Sequence, residues 1–127
     1  VEFQSPPTLP APNGYSHVVT VEAGRSLVYL SGQVGMDADG VVADGWEGQT
    51  RQTFVNLGLA LEAAGGTWAD VVKLTYFVTA TDALPRIRAI RDEFVDVAHP
   101  PASSLVQVAG LFRPDVLIEI EAVAAVR

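Results

Sequence analysis

Apolar and polar residues alternate near the C-terminus, where Val116, Ile118, Ile120 and Ala122 share one parity. Leu117, Glu119, Glu121 and Val123 share the other. A strand sends successive side chains to opposite faces, so the first set predicts a core face. The second set carries two glutamates among aliphatics, and reads either as a solvated face or as the wall of a site. The whole stretch Pro100–Ala125 reads as two strands joined by a short turn.

The same reading extends back to the start of the chain. Residues 1–13, rich in Pro and followed by Gly14, predict an extended arm ending in a turn. Tyr15–Glu22 alternates well, Ala23-Gly24-Arg25 is a turn, and Ser26–Val34 follows, which together predict a β-hairpin. The second strand breaks its pattern at Ser31-Gly32-Gln33, where a glycine signals a bulge or a close backbone approach. A helix is predicted from Trp46 or Glu47 to the Gly65-Gly66 stop, with Phe54, Leu57, Leu61 and Ala64 on its buried stripe. Asp70–Ala80 predicts a third long strand. A second helix follows, capped by Thr81 or Asp82 and ended by His99-Pro100-Pro101. Its inner stripe is Ile87, Ile90, Phe94 and Val97, and Arg86, Arg88 and Arg91 form its polar side.

The order is therefore ββαβαββ, an α+β fold with a mixed sheet and two helices on one face. Residues 1–127 are expected to form a single domain. Several strands are apolar on both faces, yet two helices cover only one. A second copy of the chain is the simplest cover for the other face, which predicts a homo-oligomer with a site in a cleft between subunits.

Charge and composition narrow the chemistry. The net charge is −7, from 15 acidic and 8 basic residues, which argues against a nucleic-acid partner. The absence of Cys excludes disulfides, thiolate nucleophiles and Cys-ligated zinc. His17 and His99 lack ligand spacing, so no metal site is expected. No apolar run approaches the roughly 20 residues of a membrane span, and the N-terminus lacks the features of a signal peptide. A cytoplasmic protein without membrane contact is the default expectation. Lys73 and His17 read as structural and rim residues, and Glu121 as a surface charge.

Gly14-Tyr15-Ser16, Leu30-Ser31-Gly32-Gln33-Val34, Gln49-Thr50-Arg51-Gln52 with Asn56-Leu57, Asp70-Val71-Val72-Lys73 and Ile118–Ala124 occur in order and at normal spacing. Together they resemble the RidA (YjgF) family over nearly the whole chain from Pro12 on. The resemblance implies a chorismate-mutase-like fold and a homotrimer whose sheets form a central barrel, with small-molecule ligands in the clefts between subunits. It implies hydrolysis of reactive enamines or imines, such as 2-aminoacrylate, to a 2-keto acid and ammonia, with no cofactor or metal. By that resemblance Tyr15 lines the cleft, Ser31 and Gly32 match the family's serine-glycine pair, and Glu119 matches the glutamate that holds or activates the attacking water. The chemistry fits, because an imine carbon needs only a positioned water, a proton acceptor and groups that fix the substrate.

One motif departs from the family. Its active deaminases carry Pro-Ala-Arg-Ser, whose arginine grips the substrate carboxylate as a bidentate fork, whereas this chain has Pro101-Ala102-Ser103-Ser104. Losing such a contact costs roughly 1.5–3 kcal/mol. Arg88 replaces the asparagine usual in the second helix, and the turn Leu111–Asp115 is longer than the usual form. Arg88 and Arg113 are the candidates for returning a cation to the cleft beside Ser103. Three functions follow: an imine or enamine hydrolase with altered substrate choice, a non-catalytic ligand-binding trimer, and a ribonuclease, which the acidic charge disfavours.

Overall fold

Strands form where β-branched and aromatic residues alternate, and both helices form where apolar residues recur at helical spacing. A computed structural model describes all residues, Val1–Arg127. The strands are β1 (Glu2–Gln4), β2 (Val18–Thr20), β3 (Ser26–Val34), β4 (Val71–Val78), β5 (Ala102–Gln107) and β6 (Ile118–Val126). The helices are α1 (Gly45–Ala63) and α2 (Leu84–Arg91), and a 3-10 turn at Trp68–Asp70 leads into β4. The main sheet runs β3-β6-β4-β5, antiparallel except for the parallel β4/β5 pair.

Burial explains that order. β6 is apolar on its core face and half-buried on the other, so it lies between β3 and β4. The more polar β5 takes the edge. This corrects the expected pairing of the last two strands, which never touch as neighbours; the chain between them spans the sheet instead of turning tightly. The expected first hairpin is also absent. β2 pairs with β1, which lies inside the N-terminal arm, while β3 pairs with β6. β2 therefore forms a separate two-stranded ribbon with the arm, and β3 stands at the edge of the main sheet with β6 as its one neighbour.

Leu74, Tyr76 and Val78 of β4 join Ile118, Ile120, Ala122 and Ala124 of β6 against Phe54, Leu57, Leu61, Ile87 and Ile90 of the helices. Phe54 stacks on Phe94 with centroids 5.3 Å apart and also meets Trp68 and Tyr76. Burying an aromatic of this kind stabilises by about 1.5–3 kcal/mol. α2 ends at Arg91, earlier than its apolar period predicts, and Val97 is 64% exposed and outside the inner stripe. Val95 is buried in its stead. The residues around Ala83 start α2 without a side-chain cap, so neither Thr81 nor Asp82 caps it by its side chain; Pro85 sits in the first turn as expected.

The other sheet face has no helix over it. Leu27 is 52% and Tyr29 75% exposed there, and Val106 is exposed on the edge strand. The register break between Leu30 and Gln33 is the bulge that Gly32 predicts.

Candidate functional site

Two recesses, on opposite faces of the main sheet, hold the chemically equipped side chains. The first lies between α2 and the edge strand β5, on the helix side. Parallel pairing sets Ser103 beside Leu74 and Leu105 beside Tyr76, so both face the helices. Tyr15 reaches this place because Ser16 is clamped to the start of β5. Ser16 Oγ donates to Pro100 O at 2.6 Å, and its backbone N donates to Pro101 O at 3.1 Å. Tyr15 packs edge-on against His17, whose Nε2 donates to Pro10 O at 2.7 Å.

The resulting cavity has a volume of about 250 Å³ and is lined by Asn13, Tyr15, Tyr76, Arg88, Arg91 and Ser103, among others. None of its lining residues is acidic, although the chain is strongly acidic overall. Arg91 is 9% exposed. Its Nε donates to Asp92 Oδ1 at 2.9 Å and its Nη1 to Asn13 O at 3.4 Å. Gly14, at φ +75°, lies against the guanidinium so closely that a Cβ there would overlap it. The Tyr76 hydroxyl is buried without a hydrogen-bond partner, and burial pushes its pKa up, so it stays protonated at neutral pH.

The second recess is an open groove where β3 meets β6. Glu119 lies in it with Gly32, Gln33, Met36, Asn56 and Phe112. β6 pairing sets Glu119 opposite Phe77 on the face away from the helices. The bulge at Gly32 brings the backbone up to the carboxylate, and a Cβ there would stand 2.9 Å from Glu119 Cδ. Asn56 Nδ2 donates to Val34 O at 3.0 Å and Met36 O at 2.8 Å, which ties α1 to the end of β3. The rear of the groove is fixed through Gln49, whose side chain donates to Asp115 O and accepts from Leu117 N, each at 2.8 Å.

The candidates therefore divide. Tyr15, Arg88 and Ser103 line the cavity, and Gly32 and Glu119 line the groove. Ser31 is exposed beside the groove without lining it. Arg113 lines neither recess; it forks onto Asp115 at 2.8 and 3.0 Å on an exposed turn. Arg91, read from the sequence as part of a solvated helix face, is buried instead. The signal was present: Arg91 lies four residues after Ile87, on the apolar stripe. Tyr76 was also missed as a cavity residue, though a hydroxyl between Leu74 and Val78 marks a polar tip in a core position. No group of three or more His, Asp or Glu side chains stands close enough to share a metal ion.

The chain matches the family model described as Endoribonuclease L-PSP over residues 7–126. It is 36% identical to a RutC family protein of Synechocystis, covering 91% of this chain and 88% of that one. It is 39% identical to the 2-iminobutanoate/2-iminopropanoate deaminase of Salmonella typhimurium, over 87% of this chain and 88% of the relative. A solved Rid family protein from Yersinia pestis superposes with a TM-score of 0.87 at 36% identity, covering 98% of each chain. The motifs, the fold and these likenesses agree, and the chain belongs to the RidA (YjgF) family, whose model bears the Endoribonuclease L-PSP description.

Proposed function

We propose that the protein hydrolyses a small 2-imino acid to the 2-keto acid and ammonia, in a site assembled from two copies of the chain. The observation that carries this reading is the division of charge across the sheet. The cavity holds cations and hydroxyls suited to gripping a substrate, and the groove holds the one carboxylate suited to handling water. A sheet lies between them, so one copy cannot bring both to the same imine. The cavity opens beside the edge strand β5, and the uncovered face carries exposed Leu27 and Tyr29. A neighbouring copy packed there, as in a homotrimer, would cover the apolar face and bring its Glu119 groove to the mouth of the cavity. The Salmonella relative's name, an iminobutanoate deaminase, supports the reaction class.

In the reaction, the water oxygen bonds to C2 of the imino acid while Glu119 takes one of its protons. The π electrons of the protonated imine pass to nitrogen, giving a neutral carbinolamine. Glu119 returns its proton to that nitrogen. The C–N bond of that ammonium then breaks and ammonia leaves, while the Glu119 carboxylate takes the hydroxyl proton as the keto group forms. Water is the only co-reactant. Ser103 supplies no charge on β5, so other groups of the cavity must hold the substrate carboxylate.

The test is ammonia release from 2-iminobutanoate generated in situ, measured for the wild type and for Glu119→Gln. General-base removal should lower kcat/KM by about a hundredfold or more, with an unchanged melting temperature because the carboxylate has no protein partner to lose. Wild-type release no faster than in buffer, or a fully active Glu119→Gln variant, would sink the reading. The acidic chain and the absence of a basic stripe weigh against RNA as substrate.

A further inference from the structure

We infer that Arg91 and Tyr76, at the floor of the α2/β5 cavity, bind the substrate carboxylate in place of a cation on β5. The identity of the ligand rests on the imine-hydrolysis reading; its location rests on four observations. First, the Tyr76 hydroxyl is 3% exposed at residue level, lines the cavity and has no partner within the protein. Such a donor costs stability unless something satisfies it. Second, burial holds that hydroxyl protonated, so it offers a proton and seeks an acceptor.

Third, Arg91 is a nearly buried cation whose only carboxylate partner, Asp92, takes Nε from the exposed side. Its Nη1 makes one long bond to Asn13 O, and Nη2 makes none. Nη2 packs against the Gly14 backbone without donating to it, so the guanidinium keeps unused donor capacity that an anion on its cavity side can take up. Fourth, the cavity contains Arg88 as a second cation and no acid, so its field favours an anion. Ser103 and Ser104 leave room at the strand where an arginine would otherwise project. An anion entering past Arg88 and these serines would satisfy Tyr76 and Arg91 together. The carboxylate then lies deep, and the reacting carbon faces the cavity mouth.

The experiment is titration calorimetry of the full chain with 2-oxobutanoate, with neutral 2-oxobutanamide and with inorganic phosphate. Tyr76→Phe keeps the ring in contact with Phe54 and removes only the hydroxyl. It should weaken 2-oxobutanoate about tenfold while leaving the unliganded protein at least as stable. Arg91→Gln should weaken it about tenfold or more, with 2-oxobutanamide affinity unchanged. Arg86→Gln, which removes an equal charge from the exposed face of the same helix, should bind as the wild type does. Should Arg91→Gln fail to fold, Tyr76→Phe alone decides.

Unchanged 2-oxobutanoate affinity in Tyr76→Phe overturns the assignment. So does no binding by the wild type, phosphate binding more tightly than 2-oxobutanoate, or an equal loss in Arg86→Gln. The two readings fail separately. Binding that follows the variants without any ammonia release leaves the carboxylate site standing and removes the hydrolase. Ammonia release with an unaltered KM in both variants leaves the hydrolase and removes this site.

Discussion

The cavity beside α2 and the groove beside β3 solve opposite electrostatic problems with the same local device. In the cavity a buried guanidinium, Arg91, rests against Gly14, whose φ of +75° needs glycine. In the groove a half-exposed carboxylate, Glu119, rests against Gly32 at a bulge. Each charge is positioned by a backbone that approaches it without a Cβ between them. The two differ in what holds the charge. Arg91 is fixed by Asp92, Asn13 and its own burial, and Glu119 has no hydrogen-bond partner in the chain. A rigid buried cation suits ligand binding, where preorganisation reduces the ordering cost. A carboxylate free of partners suits proton transfer, since both its oxygens are left to accept from a water.

The comparison breaks most sharply at Gly14. Gly14→Ala forces an L side chain into left-handed backbone, which costs about 1–2 kcal/mol, and drives its Cβ into the Arg91 guanidinium. Because Arg91 is held from two sides, it must move as a unit and leave the cavity floor. The expected result is a lower melting temperature together with a loss of 2-oxobutanoate affinity as large as that of Arg91→Gln, about tenfold or more. A destabilised variant with wild-type affinity would show that Gly14 serves the turn alone.

Gly32→Ala should act more mildly. The new Cβ would meet Glu119 Cδ at 2.9 Å, but a side chain without partners can rotate aside. A displacement well below 1 Å should lower kcat/KM for imine hydrolysis by about three- to tenfold, short of the roughly hundredfold loss that a 1 Å error brings. Affinity for 2-oxobutanoate should hold, since the groove does not contain the carboxylate floor. Loss of affinity equal to that of Gly14→Ala would mean that the two recesses are not separate in function.

The groove was far more legible in the sequence than the cavity, for a physical reason. Period-two alternation places Glu119 on a defined face of β6, and a glycine that interrupts a strand marks the bulge at Gly32, so local pattern suffices. The cavity depends on how separated segments meet. Arg88 and Arg91 look like surface charges until the end of α2, the edge position of β5 and the Ser16 clamp are known together. The same limit explains the misplaced strand pairs. Alternation says which residues of β5 and β6 share a face, and nothing about which strand lies beside which. The length of β6 and its unbroken buried face from Ile118 to Val126 were the available cue to its central place, against the polar, mostly exposed β5.

The smallest expected effect tests whether the cavity depends on surface charge at all. Arg51 of α1 forks onto Glu93, just past the end of α2, with N···O distances of 2.9 and 3.2 Å. The pair is the visible ionic link between the helix that carries the cavity cations and its neighbour, yet both side chains are about half exposed. The hydrogen bonds from Arg51 hold the Glu93 carboxyl below the usual carboxylate range. A folded pKa below the unfolded one means stabilisation that is complete above the unfolded value and lost as the pH falls through the folded value. Glu93→Gln should therefore lower the melting temperature slightly at pH 7, by an amount that shrinks in strong acid and in high salt. Thermal unfolding across pH and salt measures this, and a difference that grows toward low pH would contradict the sign. Affinity for 2-oxobutanoate should stay at the wild-type level, because Arg91 is held by burial and by Asp92, on contacts that Glu93 does not make.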